Sequence, residues 1–337
     1  MNLQDRLDRP LRDVRISVID QCNLRCTYCM PAEVFGADYA FLPEKELLTF
    51  DEITRLVTVF ASVGVKKIRI TGGEPLMRKN LSVLIERINE IEGIEDISLT
   101  TNGILLGKQA EQLKRAGLKR VNVSLDSMTD EIYGQMNGRG LRVDRVLRSI
   151  EEAALAGLQI KINMVVQQGV NEHEVVRMAN YCFHKGYTLR FIEYMDVGNS
   201  NGWQMNQVYP SKKIHDDIHV KMPLEAIEPA YTGEVAKRYR YKGTNKEIGF
   251  ISSVTEAFCS TCNRARISAD GKLFTCLFAS EGHDLRPLLR AEASCDNQLK
   301  SFIEETWNRR GDRYSEQRKD LMGKSSKERI EMSYIGG

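Results

Sequence analysis

The sequence lacks the segments that would anchor a protein in a membrane or export it. No apolar run in its 337 residues approaches the length of a membrane span, and the amino-terminal stretch MNLQDRLDRP has no apolar signal-peptide region. A charge bias is also missing, because 48 Lys and Arg residues balance 46 Asp and Glu residues. Any basic site must therefore be local. We expect a cytoplasmic protein with no membrane or nucleic-acid partner.

Internal repeats and low-complexity tracts are absent as well. A hydrophobic content of 42% and a charged content of 28% describe an ordinary folded protein. This length predicts one large α/β unit, or a main domain with a smaller appendage. Eight cysteines would suggest disulfides in a small secreted protein, but clustered cysteines in a reducing compartment are more often metal ligands.

Three of the cysteines, Cys22, Cys26 and Cys29, lie in the segment CNLRCTYC, directly after a strand-like run at 15–19. A turn at this spacing brings three thiols to one side of the chain. A closed structural zinc site uses four protein ligands, whereas three ligands leave a metal position open for chemistry. The triad therefore indicates a [4Fe-4S] cluster with one open iron, and half of a zinc ribbon completed elsewhere is the alternative.

A second triad consists of Cys259, Cys262 and Cys276. The segment between the last two contains an Asp-Gly turn between two strand-like runs, so a hairpin can return Cys276 to the CxxC pair. Two triads with different spacings favour two clusters, each with an open iron, and the second could bind substrate directly. A zinc site shared by both triads is the alternative. Cys182 and Cys295 are interpreted as core or surface thiols.

Strand-like and helix-like segments alternate through the first half of the chain. The six predicted strands cover 15–19, 67–71, 97–101, 120–125, 160–166 and 189–193. Repeated β-α units predict an α/β fold with a six-stranded parallel sheet that is closed or partly closed like a barrel. Within each strand apolar residues alternate with polar ones, so we expect helices to cover the apolar side and the polar side to line a wet lumen. An open sheet with a solvated face is the alternative.

The alternation stops past residue 193, and we divide the chain into 1–195 and 196–337. The second part is predicted to be a smaller α+β region, with strands at 234–241, 247–251, 265–268 and 272–276. Its hairpin and the barrel strands carry basic residues at alternate positions, so that their side chains are expected to face the same polar interior. These charges would repel one another without an anion between them. Phosphate groups are the natural ligand. These cations are Arg15, Arg69, Lys161, Arg264 and Arg266.

The tetrapeptide Gly72-Gly73-Glu74-Pro75 follows the second predicted strand, at the end where α/β folds bind ligands. The glycines permit a close backbone approach. Beside an open iron, this turn is a candidate for holding an amino acid, with the Glu74 carboxylate facing the ammonium group.

Together these motifs carry a resemblance. CNLRCTYC followed by GGEP resembles the radical S-adenosylmethionine superfamily. With CSTCNRARISADGKLFTCLF and the terminal Gly-Gly, essentially the whole chain resembles the GTP 3′,8-cyclase family of molybdenum cofactor biosynthesis.

The resemblance implies a partial six-stranded parallel (β/α)6 barrel whose mouth is closed by a C-terminal α+β region, and it implies a specific reaction. The open iron of the first cluster chelates S-adenosylmethionine, and one electron cleaves it to methionine and a 5′-deoxyadenosyl radical. The radical removes a hydrogen from C3′ of GTP, and the ribosyl carbon then attacks C8 of guanine. The product is (8S)-3′,8-cyclo-7,8-dihydroguanosine 5′-triphosphate, which a downstream cyclic pyranopterin monophosphate synthase consumes.

The resemblance also implies the site residues. Two [4Fe-4S] clusters would be held by Cys22, Cys26 and Cys29, and by Cys259, Cys262 and Cys276. S-adenosylmethionine would contact Tyr28, Gly73, Ser124 and Met195. GTP would contact Arg15, Arg69, Thr100, Lys161, Arg264, Ala265 and Arg266.

The carboxyl-terminal Gly336 and Gly337 form a separate hypothesis, because residues without side chains can thread into an active site and act in catalysis. An electron donor is an implied partner, and a homodimer is possible. Two other functions stay open: a peptide-modifying radical S-adenosylmethionine enzyme with an auxiliary cluster, and a zinc-stabilised nucleic-acid-binding module.

Overall fold

Six parallel strands form the centre of the fold. The computed structural model describes residues 3–291, 295–321 and 329–336. The strands are β1 (Asp13–Ser17), β2 (Lys67–Thr71), β3 (Asp96–Thr101), β4 (Arg120–Ser124), β5 (Gln159–Val166) and β6 (Thr188–Glu193). Each pairs in parallel with the next along the chain. The predicted α/β class and its six parallel strands are therefore confirmed.

Helices connect these strands. They are α1 (Phe50–Ser62), α2 (Leu81–Asn89), α3 (Leu106–Arg115), α4 (Asp130–Met136), α5 (Asp144–Leu155) and α6 (Val175–Lys185). Helix α1 begins with a capping box: the Glu52 amide donates to Thr49 Oγ1, and the Thr49 amide donates to Glu52 Oε2. Two helices, α4 and α5, lie between β4 and β5, and the turn that separates them contains Gly138 and Gly140, which both adopt a φ of 62°.

The second half adds six further strands and five helices among the described residues. The strands are β7 (Leu224–Ile227), β8 (Lys237–Tyr241), β9 (Glu247–Ile251), β10 (Arg264–Ile267), β11 (Lys272–Phe274) and β12 (His283–Asp284). The helices are α7 (Ser211–Lys221), α8 (Arg286–Arg290), α9 (Asp296–Asn308), α10 (Tyr314–Leu321) and α11 (Met332–Ile335).

These later strands continue the central sheet at both edges. Strand β10 pairs in parallel with β1, and β9 pairs in parallel with β6, which gives a 12-stranded sheet from β12 to β7. The two outermost strands are not paired with each other in the described part of the chain, so hydrogen bonding does not close the barrel. The sequence did not predict that the second half extends the sheet. The boundary at residue 195 stays a prediction.

The apolar residues at alternate positions of the strands pack into the core, as the sequence predicted. Ile68 and Ile70 of β2 are 0% and 1% exposed, and they lie beside Val14 and Ile16 of β1. The polar residues between them lie on the opposite face, where the sheet curves around a cavity. No helix in the described residues is long and apolar enough to cross a membrane.

Candidate functional site

A cavity of about 310 Å³ lies at the carboxyl ends of the parallel strands and collects most of the predicted site residues. Both cysteine triads line it. So do the following predicted residues: Arg15, Tyr28, Arg69, Gly73, Thr100, Ser124, Met195, Arg264 and Arg266. Because parallel strands end at the same edge of a sheet, residues distant in sequence meet here.

Three predicted residues are placed differently, and a fourth is not described. Ala265 is 0% exposed and its side chain belongs to the hydrophobic core, so only its backbone can contact a ligand on the cavity side. Lys161 lines a second cavity next to the first. Gly336 lies beside Arg266 and Thr71. Gly337 lies outside the described residues.

The amino-terminal cysteine loop is fixed mainly by Arg25, a residue inside the CxxxCxxC motif. This side chain is 8% exposed. Its guanidinium donates to the carbonyls of Phe35 (2.6 Å), Cys22 (2.8 Å) and Leu24 (2.7 Å). The Arg25 amide donates to the Asn137 carbonyl after helix α4. These hydrogen bonds hold the loop in one conformation.

The three thiols of this loop are the donor type that holds iron–sulfur clusters. Burial raises the pKa of Cys22 to about 11, and burial together with the neighbouring Cys22 raises that of Cys29 to about 12. Burial, Cys22 and Cys29 hold the pKa of Cys26 well above its usual range. Such close thiols need a bound cation to become thiolates. Because all three line one cavity, this donor set fits a cluster with one open iron.

The glycines of the GGEP turn pack against the cysteine loop. A Cβ on Gly73 would lie 2.3 Å from the Gln21 carbonyl oxygen, so only glycine fits. The Glu74 amide donates to the same carbonyl at 2.8 Å. The turn thus places the end of β2 directly beside Cys22.

The expected role of Glu74 is wrong in this structure. Its carboxylate is fully buried and does not line the cavity. It accepts hydrogen bonds from Leu76 N (3.0 Å), Thr101 Oγ1 (2.7 Å) and Asn102 N (2.8 Å). Burial still raises the pKa of Glu74 to about 7. Glu74 therefore organises the ends of β2 and β3 instead of facing an ammonium group.

The Tyr28 ring is held at the cavity wall by a buried carboxylate. Its hydroxyl donates to Asp126 Oδ2 at 2.8 Å, and Asp126 Oδ1 accepts from the Val165 amide at 2.9 Å. Burial raises the pKa of Asp126 to about 6. Asp126 lies two residues after Ser124, the last residue of strand β4. The sequence analysis did not select it.

The second triad lies in a cationic environment. Burial alone would raise the pKa of Cys262, but Arg264 and Arg310 overcome it and lower that pKa to about 6. Arg264 Nη2 lies 3.5 Å from Cys262 Sγ. For Cys276, burial prevails and raises the pKa to about 12. The donor set is again three thiols on a fixed hairpin, which fits a cluster with an open iron.

Three arginines on neighbouring strands form one row across the cavity floor. Arg15 of β1 lies in register with Arg69 of β2 and with Arg266 of β10. Burial and the neighbouring arginines hold the pKa of Arg15 well below its usual range. Asp13 pairs with Arg69 at 2.7 Å and is the buried counter-charge that sequence reasoning missed. Asp13 lies two residues before Arg15, so both side chains lie on the same face of β1, and this spacing could have identified it.

The second cavity, of about 180 Å³, extends the cationic surface beyond this row. Arg69 and Arg190 line both cavities. Burial, Arg190 and Arg120 lower the pKa of Lys161 to about 7. The lining has more cations than carboxylates: Lys67, Arg69, Arg120, Lys161, Arg190 and Arg238 against Asp96, Glu234 and Glu247.

The carboxyl-terminal segment reaches the cationic row. The Gly336 carbonyl accepts a hydrogen bond from Arg266 Nη1. The residue adopts a φ of 77°, and a Cβ there would lie 2.1 Å from Thr71 Cγ2, so glycine is required. Tyr334 anchors the segment by donating to Asp270 at 2.5 Å.

Comparison with known proteins agrees with this geometry. The family model described as Radical SAM superfamily matches residues 16–182, and the one described as Molybdenum Cofactor Synthesis C matches residues 187–316. The GTP 3′,8-cyclase of Staphylococcus epidermidis is 49% identical over 337 residues, covering 99% of both chains. The chain belongs to the GTP 3′,8-cyclase family. The enzyme of the same name from Staphylococcus carnosus is 48% identical, again with 99% of both chains covered.

Solved structures show that the fold is shared more widely than the family. Streptococcus suis SuiB bound to S-adenosylmethionine matches with a TM-score of 0.61 at 15% identity, covering 87% of this chain and 68% of that chain. The protein anSMEcpe with bound AdoMet matches with a TM-score of 0.51 at 21% identity, covering 63% and 58%. At these identities the likeness concerns the fold alone.

Proposed function

We propose that the chain is a GTP 3′,8-cyclase, a radical S-adenosylmethionine enzyme that performs the first step of molybdenum cofactor biosynthesis. The observation that carries this proposal is the row Arg266–Arg15–Arg69, buried in one cavity between two cysteine triads. Asp13 pairs with Arg69, so three buried guanidinium groups share one buried carboxylate, and this surplus of positive charge calls for an anionic ligand. The 49% identity to a relative of that name supports the same substrate.

Cys22, Cys26 and Cys29 would hold the first [4Fe-4S] cluster, and its open iron would take S-adenosylmethionine. Bound together, these groups supply the radical that removes hydrogen from the substrate ribose. The chain's own part is to orient the cofactor: Gly73 places its turn beside Cys22, Tyr28 provides an aromatic wall, and Ser124 and Met195 line the same cavity.

GTP would lie across the cationic row. Arg15, Arg69 and Lys161 would bind the triphosphate, which extends toward the second cavity, and Thr100 would contact the nucleoside. Arg264, Arg266 and the backbone of Ala265 belong to strand β10 beside the second triad. Cys259, Cys262 and Cys276 would hold an auxiliary cluster, and its open iron would supply a binding position for the purine.

The remaining proposals concern the partners and the tail. An electron donor must deliver the electron that starts the reaction, and cyclic pyranopterin monophosphate synthase would use the product. Gly336 would act at the active site through its contact with Arg266, with Gly337 following it.

Product identification tests the proposal. Anaerobic protein is incubated with GTP, S-adenosylmethionine and a chemical reductant, and the nucleotides are separated and analysed by mass spectrometry and NMR. We expect an isomer of GTP with a new C3′–C8 bond, together with 5′-deoxyadenosine. Calorimetry that shows no GTP binding would reject the proposal and leave the peptide-modifying alternative.

A further inference from the structure

A buried network of charged residues, separate from the row of Arg15, Arg69 and Arg266, contacts the backbone of the second cysteine triad. Its members are Asp5, Arg9 and Arg310, whose side chains are 0%, 1% and 1% exposed. The Asp5 carboxylate accepts from Arg9 Nε at 2.6 Å and from Arg310 Nη1 at 3.2 Å. This group, the Asp5–Arg9–Arg310 network, joins the amino-terminal segment to the end of helix α9.

Both arginines also bind the backbone of cluster ligands. Arg9 Nη1 donates to the Cys259 carbonyl at 2.8 Å, and Arg310 Nη1 donates to the Cys262 carbonyl at 2.7 Å. Arg9 and Arg310 line the main cavity together with these cysteines. The network therefore fixes two of the three ligands directly, through groups that are distant in sequence.

The network is not electrically balanced inside the protein. Two guanidinium groups share one fully buried carboxylate, and Arg9 Nη2 is buried without a hydrogen-bond partner. The next carboxylate, Asp312, lies 3.4 Å from Arg310 Nε but is 35% exposed, so solvent screens it more. A buried positive surplus is costly unless a negative group lies near it. Thiolates bound to an iron–sulfur cluster supply such a group.

We propose that Arg9 and Arg310 are positioning residues that raise the reduction potential of the auxiliary cluster held by Cys259, Cys262 and Cys276, and that Asp5 holds both arginines and offsets part of this rise. The inference rests on the proposed function, since it assumes that this second cluster is present. Reduction adds one electron to the cluster, so a nearby buried positive charge stabilises the reduced form. Net charge and solvent exposure are among the properties that set such potentials.

The proposal predicts shifts of opposite sign. Arg310→Gln removes a positive charge and makes the auxiliary midpoint potential more negative. Asp5→Asn removes the negative charge and makes it more positive. Arg310→Lys keeps the charge but loses the planar donor geometry, so its potential stays closer to that of the wild type. If the network had only a structural role, the variants would lose the cluster, and the midpoint potential would not shift in opposite directions.

The test is an anaerobic redox titration of the full-length holoprotein followed by electron paramagnetic resonance, after iron and sulfide analysis of each variant. Adding S-adenosylmethionine assigns the two transitions, because it perturbs only the amino-terminal cluster. The midpoint of that cluster is the internal control. Arg290→Gln is the matched charge control, since Arg290 is 40% exposed and pairs with Glu52. Neither midpoint should change in it.

Equal auxiliary midpoints in the wild type and Arg310→Gln, or shifts of one sign in Arg310→Gln and Asp5→Asn, overturn the proposal. If Arg310→Gln does not bind the cluster, Asp5→Asn and Arg310→Lys decide. If none of the three binds it, the network is only structural and the proposal is also overturned. A wild-type protein with about four irons per chain instead of about eight contradicts the auxiliary cluster itself, and with it the proposed function.

Discussion

The two cysteine triads line the same cavity, but their surroundings differ in charge. Around Cys22, Cys26 and Cys29 the main influence is burial, which raises the pKa of each thiol. Arg25 is the principal cation there, and it donates to backbone carbonyls. Around the second triad, Arg264 and Arg310 lower the pKa of Cys262 to about 6 although burial opposes them.

This difference suits two separate duties. A cluster that is buried near carboxylates such as Asp126 is harder to reduce and is a stronger reductant once reduced, which cleavage of S-adenosylmethionine requires. A cluster beside buried arginines is easier to reduce and lies next to the groups that attract an anionic substrate. We therefore expect the first triad to control cofactor cleavage and the second to control what happens to GTP.

The largest predicted effect separates these duties. Cys26→Ala should abolish formation of both 5′-deoxyadenosine and cyclised nucleotide, because the cofactor-binding cluster loses a ligand. Cys262→Ala should abolish only the cyclised nucleotide, while 5′-deoxyadenosine still forms without coupling. Both products are measured by chromatography after anaerobic incubation.

Cys295→Ala is the control for this pair, because Cys295 is an exposed thiol outside both triads. It should behave like the wild type in both assays. Loss of 5′-deoxyadenosine in Cys262→Ala at unchanged iron content of the first site would contradict the division of duties.

The second prediction concerns the tail, in which the Gly336 carbonyl accepts a hydrogen bond from Arg266. Removing Gly336 and Gly337 should abolish GTP turnover and leave the iron content unchanged, because the Arg266 contact is lost but no ligand is. Product formation and iron content are measured on the same preparation. Normal turnover by the truncated protein would show that the tail has no catalytic role.

The third prediction concerns the Tyr28 hydroxyl and its effect on the affinity for S-adenosylmethionine. Tyr28→Phe removes the hydroxyl that donates to Asp126 at 2.8 Å and leaves a buried carboxylate oxygen without this donor. A lost hydrogen bond of this kind costs about 1 kcal/mol, so S-adenosylmethionine should bind about fivefold more weakly if the whole loss falls on the complex. Calorimetry on the anaerobic holoprotein measures it.

GTP affinity of the same variant is the control for this third prediction, and it should not change. An equal loss for both ligands would show that the Tyr28 hydroxyl supports the whole cavity instead of the cofactor side.

Much of this site could be predicted from the sequence because its signals are local. The cysteine spacings, the GGEP turn and the alternation within Lys67–Thr71 depend only on neighbouring residues, and the structure brings these residues to one cavity. The arginines of β1, β2 and β10 were predicted to share a face on the same basis.

The contributions that were missed depend on long-range pairing. No local pattern shows that β10 lies beside β1, or that Arg9 contacts the Cys259 carbonyl 250 positions away. The burial of Glu74 was missed for a related reason. Its partners Thr101 and Asn102 come from strand β3 and the turn after it, so the GGEP sequence alone could not show that the carboxylate is already satisfied.

The smallest predicted effect tests whether the cationic surface extends beyond the arginine row. The pKa of Lys161 is lowered to about 7 by burial and by the neighbouring Arg190 and Arg120. A bound triphosphate should raise this pKa, since it favours the charged amine. Lys161 is charged below pH 7 in the free protein, so its contribution to GTP affinity is complete there and falls as the pH rises toward the pKa of the complex. If GTP raises the pKa by about one unit, affinity should fall about fourfold between about pH 6.5 and 8.

Calorimetry in buffers of different ionisation enthalpy measures this effect, because binding above pH 7 should take up a proton. GTP has protonation equilibria of its own, which contribute equally to the titrations of the wild type and of Lys161→Gln. The difference in proton uptake between the two proteins is therefore due to Lys161. A pH dependence identical in the two proteins would place the triphosphate outside the second cavity. The cationic contrast between the two triads would then be confined to Arg15, Arg69, Arg264 and Arg266.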